Sequence, residues 1–179
     1  MIGKALFSSD STTWETPQNL FDELNREFWF EVDVCASSEN AKCNNYFDEL
    51  ADGLKQPWSL MYKTCWMNPP YNEPEQPCKP NCKKKRCKER GYHIDKYIPG
   101  AVDWVQKASE ESKNGCTVVC LLPSRTDKKY FHRYIWDKHN HRPRPGVEVR
   151  FLQGRLKFVG AKDSAPFPSM IVIFRPDGR

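Results

Sequence analysis

The sequence predicts an α/β domain with a mostly parallel central sheet and helices on both of its faces. Strand-length and helix-length patterns alternate along the chain. One run, residues 117–122, is almost wholly apolar, as in a parallel sheet covered on both sides. The 179 residues, 39% hydrophobic and 13% aromatic, suit one domain with a sizeable core and exclude a disordered chain. We expect a single domain over residues 1–179, with residues 72–93 inserted in it.

The elements follow in order. Thr16 can cap a first helix and Pro17 suits its first position. Leu20, Phe21, Leu24 and Phe28 then share one helical face. Phe30-Glu31-Val32-Asp33-Val34 alternates like a strand and stops at Cys35-Ala36-Ser37-Ser38. A short helix is expected to start at Ser38-Glu39-Asn40-Ala41, and a short strand to include Tyr46-Phe47. Thr64-Cys65-Trp66-Met67 reads as a buried strand, which the double proline of Asn68-Pro69-Pro70-Tyr71 must end. Residues 72–93 carry no apolar period. A helix over 99–113 puts Val102, Val105 and Ala108 on one face, and the apolar strand follows. Tyr130, Phe131, Tyr134 and Ile135 suit a further amphipathic helix. Pro143, Pro145 and Gly146 mark a loop, and residues 147–151 and 170–174 close the chain as strands.

The net charge of +5 conceals a division. Residues 1–77 hold 5 basic and 13 acidic side chains, residues 78–93 hold 7 and 1, and residues 94–179 hold 16 and 9. The nets are −8, +6 and +7, which points to an anionic partner for the later portions, nucleic acid first. No apolar run approaches the roughly 18 residues of a membrane span. Met1-Ile2-Gly3-Lys4 opens no apolar stretch of leader length. The eight cysteines are therefore expected as thiols or metal ligands.

Asn68-Pro69-Pro70-Tyr71 is the segment richest in chemistry. Ligands of open α/β sheets bind beyond the carboxyl ends of the strands, where this turn falls. Its prolines stiffen the backbone. The Asn68 side-chain oxygen and the Pro69 carbonyl can then accept from one amino group. A nucleobase amine is a poor nucleophile because its lone pair is delocalised, and two such acceptors favour the nucleophilic form. Pro70 holds Tyr71 beside them as a flat surface for a base, worth about 1–3 kcal/mol of stacking. A plain proline-rich turn is the competing reading.

The insert carries Cys78, Cys82, Cys87 and His93 in a C-x3-C-x4-C-x5-H spacing. One tetrahedral zinc would fix a loop too polar to build a core of its own. A metal-free basic loop is the alternative. Lys83, Lys84, Lys85 and Arg86 suit phosphate contacts at the mouth of the site. Cys35, Cys43, Cys65, Cys116 and Cys120 lie in or near apolar segments and are expected as core thiols. His132, His139 and His141 are expected in a polar helix end and loop, not as a second metal cluster.

The chain resembles the phage and prophage DNA N6-adenine methyltransferases of the Dam type. The resemblance rests on Trp14-Glu15-Thr16-Pro17 with Leu20-Phe21, on Asp33-Val34-Cys35-Ala36-Ser37 through Asn40-Ala41, on Asp52-Gly53-Leu54 and on Trp58. It continues through residues 68–71, 121–127, 150–155 and 166–169, so it spans nearly everything except 72–93. It implies a Rossmann-like S-adenosylmethionine-dependent fold and that cofactor as methyl donor. Asp33 would face the methionine moiety, with Ala36 and Ser37 giving backbone contacts and Trp14, Thr16 and Pro17 packing alongside. An acid after the second strand should accept from the ribose hydroxyls, Asp48 or its neighbour Glu49. Asp52 and Leu54 would flank the adenine ring. No Gly-x-Gly follows the first strand, a departure from the usual cofactor turn. Ser124 and Arg125 would help form the target-base pocket, and Arg155 would extend the surface towards double-stranded DNA. Lys128, Lys129, Arg133, Arg142, Arg144 and Arg150 could enlarge it.

The reaction implied is methylation of adenine N6 in DNA after the base is extruded from the duplex. RNA, cytosine N4 or a protein glutamine amide are acceptors the turn would also serve. A non-catalytic zinc-dependent nucleic-acid-binding protein is the other class. A monomer in the cytoplasm of a bacterial host is expected, with protection of phage DNA from restriction as its role and GATC as the site.

Overall fold

In the computed structural model, residues 14–176 are described; the leader expectation at residues 1–4 falls outside them. The strands are Val32–Asp33 (β1), Asn45–Tyr46 (β2), Thr64–Met67 (β3), Thr117–Pro123 (β4), Trp136–Asp137 (β5), Arg142–Pro143 (β6), Val147–Phe151 (β7) and Ser169–Phe174 (β8). The helices are Gln18–Phe28 (α1), Trp58–Met61 (α2), Lys85–Arg90 (α3) and Ala101–Lys113 (α4). Six strands form one sheet in the order β2-β1-β3-β4-β8-β7. β2, β1, β3 and β4 are mutually parallel, whereas β8 runs against both of its neighbours. The expected mostly parallel sheet is present, with one reversed strand.

Alternation along β3, β4 and β8 builds two cores, because successive strand side chains point to opposite faces. Cys65, Met67, Val118, Cys120, Leu122 and Val172 pack with Trp104, Val105 and Ala108 of α4. Trp66, Val119, Leu121, Ile171 and Ile173 pack with Phe21, Leu24 and Phe28 of α1. The apolar run of β4 thus serves both layers, as a strand covered twice must. Register places Asp33 level with Trp66 and Met67 level with Cys120, so β1, β3 and β4 end along one edge.

Several local expectations change. Thr16 caps nothing: α1 has no side-chain cap, and the Thr16 hydroxyl accepts from Asn68 instead. Residues 38–41 form a turn, not a helix. Asn40 Oδ1 accepts from the Ser37 amide and Ser37 Oγ from the Glu39 amide, local bonds that compete with a helical ladder. The helix expected around Tyr130–Ile135 is present, with Phe131–Ile135 wound as a π-helical turn. The loop after it holds the β5–β6 pair, whose turn is capped by Asp137 accepting from His139 and Asn140. The insert contains α3, invisible to periodicity because Cys87 is its one buried residue.

Candidate active site at the carboxyl edge of the sheet

Asp33 ends β1 and is buried. Its Oδ1 accepts from the Cys35 amide at 3.3 Å and its Oδ2 from the Lys42 amide at 3.1 Å. Burial pushes its pKa up to about 6, against those two amides and the Lys42 charge, which favour the anion. Ala36 is buried beside it and pairs through its amide with the Phe47 carbonyl. Ser37 is half-buried in the following turn.

Next to this floor opens a cleft lined in part by Cys35, Phe47, Asp48, Glu49, Asp52, Leu54 and Trp104. Asp48 accepts from the Ala51 amide at 2.8 Å, and Asp52 pairs with Lys55 at 2.7 Å. Gly53 is required by close approach: a Cβ there would lie 2.2 Å from the Val34 carbonyl oxygen. The buried indole N–H of Trp104 has no acceptor among the described residues. Trp104 was not singled out from the sequence, where it reads as one more apolar residue of α4. Of the nine expected cofactor residues, Asp48, Asp52 and Leu54 meet in this cleft. Asp33, Ala36 and Ser37 flank Cys35 in sequence, while Trp14, Thr16 and Pro17 lie towards the 68–71 turn.

That turn is held from two sides. Asn68 Nδ2 donates to the Trp14 carbonyl at 2.6 Å and to Thr16 Oγ1 at 3.0 Å. Both amide hydrogens are thereby used, which fixes which way the side-chain oxygen points. Tyr71 donates its hydroxyl to Asn68 Oδ1 at 2.6 Å, with the Leu121 carbonyl 3.3 Å away. Burial pushes that hydroxyl well above the usual phenol range. The Tyr71 ring lies in an aromatic group with Trp14 at 6.5 Å, Phe158 at 6.3 Å and Phe167 at 5.7 Å. Phe158 was not marked by sequence, and Phe167 only within the 166–169 resemblance.

A shallow depression opens beside Tyr71 and is lined also by Glu73, Arg125, Lys128 and Tyr130. Arg125 sits with its guanidinium carbon 5.9 Å from the Phe167 ring centre. Lys128 is paired with Glu73 at 2.7 Å. Ser124 is half-buried, donates its amide to the Pro168 carbonyl and has a hydroxyl without a partner among the described residues. Arg155 is exposed. Arg150 is bound instead to Glu27 and Glu148 at 2.6 Å, so its charge is compensated within the protein.

In the insert, the ligand atoms of Cys78, Cys82, Cys87 and His93 all lie within 4.8 Å of one another. Burial opposes the Cys78 thiolate, but hydrogen bonds from His93, the Ile94 backbone, Cys87 and Cys82 outweigh it and bring its pKa to about 6. Lys83, Lys84, Lys85 and Arg86 are exposed. Arg86 reaches Glu75 at 3.3 Å, and Lys85 reaches Glu89 at 3.6 Å. Of the other cysteines, Cys43 is half-buried and the remaining four are buried, as expected of core thiols.

Fold and site define an α/β protein that brings an acid-lined cleft and a rigid polar-Pro-Pro-aromatic turn to one sheet edge. The chain belongs to the DNA N-6-adenine-methyltransferase (Dam) family, whose profile matches residues 4–178. Over 68 residues it is 37% identical to the DNA N-6-adenine-methyltransferase of Haemophilus phage HP1 (strain HP1c1), covering 37% of this chain and 38% of that protein. Over 63 residues it is 32% identical to the DNA N-6-adenine-methyltransferase of Escherichia phage T1, covering 35% and 26%. The matches thus span about a third of these relatives.

Proposed function

We propose that this chain transfers a methyl group from S-adenosylmethionine to N6 of adenine in DNA, with the base extruded into the pocket at residues 68–71. The observation that carries this reading is the Asn68 amide, locked by the Trp14 carbonyl and Thr16 hydroxyl. Its oxygen accepts from Tyr71 and has a second lone pair for an incoming amine. The Pro69 carbonyl is the second acceptor, and Pro70 keeps the turn from relaxing away. Together they draw the amine's hydrogens and return electron density to its nitrogen, an effect largest in the transition state. Tyr71, within its aromatic group, offers the base a face.

The cleft suits the cofactor. Phe47, Leu54 and Trp104 give apolar walls for a purine, with Asp52 beside them, and Asp48 or its neighbour Glu49 gives an acceptor for the ribose hydroxyls. Asp33, with Ala36 and Ser37, supplies a negative floor for the cationic end, and Trp14, Thr16 and Pro17 close the site on the turn side. S-adenosylmethionine, when bound, supplies a methyl group on a sulfonium, reactive enough that positioning does most of the remaining work. Ser124 and Arg125 border the base pocket, while Lys83, Lys84, Lys85, Arg86 and Arg155 face the phosphates. The cellular reading is protection of phage or prophage DNA from restriction in a bacterial host; no described helix is long and apolar enough to cross a membrane.

Asn68→Ala is expected to slow methyl transfer by about 10²–10³-fold while cofactor affinity stays near wild type. Incubating the chain with plasmid DNA and mapping modified bases reads the outcome. N6-methyladenine in the wild-type product, GATC being the first context to inspect, supports the proposal. Methylcytosine alone, or an Asn68→Ala variant as fast as wild type, sinks it.

A further inference from the structure

The strongest feature outside the methyl-transfer site is the insert, which folds almost without apolar burial. Over residues 72–98 the buried side chains are Glu75, Cys87 and Ile94. One carboxylate, one thiol and one isoleucine are too little to hold 27 residues by the hydrophobic effect. The segment is nevertheless organised around a point. Cys78 Sγ and Cys87 Sγ lie 3.4 Å apart, and Cys82 Sγ and Cys87 Sγ 3.7 Å apart. A tetrahedron with zinc–sulfur arms of about 2.3 Å has edges of about 3.8 Å, so these thiols already stand near the spacing that one ion imposes. They are too far apart for a disulfide, whose sulfurs lie about 2 Å apart, and all three are free. His93, three residues past the end of α3, completes a Cys3His donor set.

Around this set runs a second layer of contacts. Arg90 donates to Cys87 Sγ at 3.3 Å and reaches both oxygens of Glu75, at 3.1 and 3.0 Å. Three thiolates and a neutral histidine around a divalent cation carry one net negative charge, and Arg90 offsets it. Glu75 also takes Arg86, and its backbone pairs in both directions with Ile98, where the chain returns to the main body. Glu75 lies four residues beyond Tyr71, so this layer joins the basic helix to the catalytic turn.

We propose that Cys78, Cys82, Cys87 and His93 bind one zinc ion, and that the ion positions α3 through Arg90 and Glu75 so that DNA affinity depends on zinc. The DNA half of this statement rests on the proposed function; the metal half does not. Zinc acts here as a structural staple, with four protein ligands and no position left for substrate. Arg90 and Glu75 orient the cluster as outer partners do in metal sites. Lys79, Lys83 and Lys88 remain exposed on the stapled loop.

The test is made on the purified full chain. Metal analysis is expected to find one zinc per chain, and Cys82→Ser is expected to lose it. The zinc-free protein should bind duplex DNA about tenfold or more weakly while keeping its cofactor affinity, since the phosphate contacts alone lose their alignment. Should Cys82→Ser fail to fold, wild-type protein stripped with a chelator and titrated back with zinc gives the same comparison. Glu75→Gln should retain the ion but weaken its binding by about 10–100-fold. A chain that holds no zinc overturns the metal site, and one that binds DNA as tightly without zinc as with it overturns the coupling. A chain holding one zinc that binds no duplex DNA overturns the DNA role and leaves the metal site standing.

Discussion

Asp33 is a buried carboxylate whose ionisation is coupled to stability and, in the proposed function, to cofactor binding. Its pKa stands at about 6 in the folded chain against an ordinary 3.8. The folded state therefore holds the proton more tightly than the unfolded state does. The stability this lends is full below about 3.8 and is lost as pH rises through about 6, some 3 kcal/mol in all. Urea unfolding between pH 4 and 7 should show that decline, and Asp33→Asn should flatten it; an unchanged slope in the variant would assign the effect elsewhere. Cofactor binding should run the other way. A sulfonium is best faced by the ionised carboxylate, so affinity should fall by up to about tenfold for each pH unit below 6. Calorimetry across that range would refute the Asp33 role if affinity held constant. Thr16 makes a related point: its hydroxyl caps no helix and instead accepts from the Asn68 amide, fixing that side chain's orientation.

Elements add constraints that side chains alone do not reveal. Gly100 stands where the chain leaves the insert and enters α4, and its amide donates to Asp103 Oδ2 at 2.8 Å. A Cβ on it would lie 2.5 Å from both the Asn72 oxygen and the Pro74 nitrogen, all backbone that cannot swing aside. Gly100→Ala should therefore cost about 1–3 kcal/mol or prise the two ends of the insert apart. Urea unfolding with limited proteolysis across 72–98 reads both outcomes, and wild-type behaviour in both would show the contact to be slack. Much at this scale was legible in the sequence. β3, β4, β7 and β8 fall where alternation and apolar runs place them, and the turn follows β3 directly. What was not legible has a common cause. The 38–41 turn, the β5–β6 pair and α3 are held by polar side-chain bonds or clustered thiols, which leave no hydrophobic period to read. Trp104 and Phe158 escaped because an aromatic in an apolar context signals core; only the fold shows that Trp104 also walls a cleft.

Across the whole molecule, the charge division acquires a layout. The portion carrying −8 holds Asp33, Asp48 and Asp52, which border the proposed donor site, and the portion carrying +6 begins seven residues after Tyr71. Two cations of the basic tail are compensated by acids of the −8 portion: Arg150 pairs with Glu27 and Lys128 with Glu73. Exposed cations outside the ion pairs lie on the insert, at Lys79, Lys83, Lys84 and Lys88, and along the tail, at Lys129, Arg133, Lys138, Arg142, Arg155 and Lys157. Such an arrangement should separate the two ligands by their response to salt. Each phosphate neutralised lowers the logarithm of affinity by about 0.9 for every tenfold rise in salt, so four to five contacts give a slope of about −4. Cofactor binding, enclosed and involving a single charge, should change little over the same range. Replacing Lys79, Lys83, Lys84 and Lys88 together by alanine should flatten the DNA slope by up to about 3.6 and leave cofactor affinity untouched. If the quadruple variant keeps the wild-type slope, the DNA path lies elsewhere, and the insert is a structural feature without a share in docking.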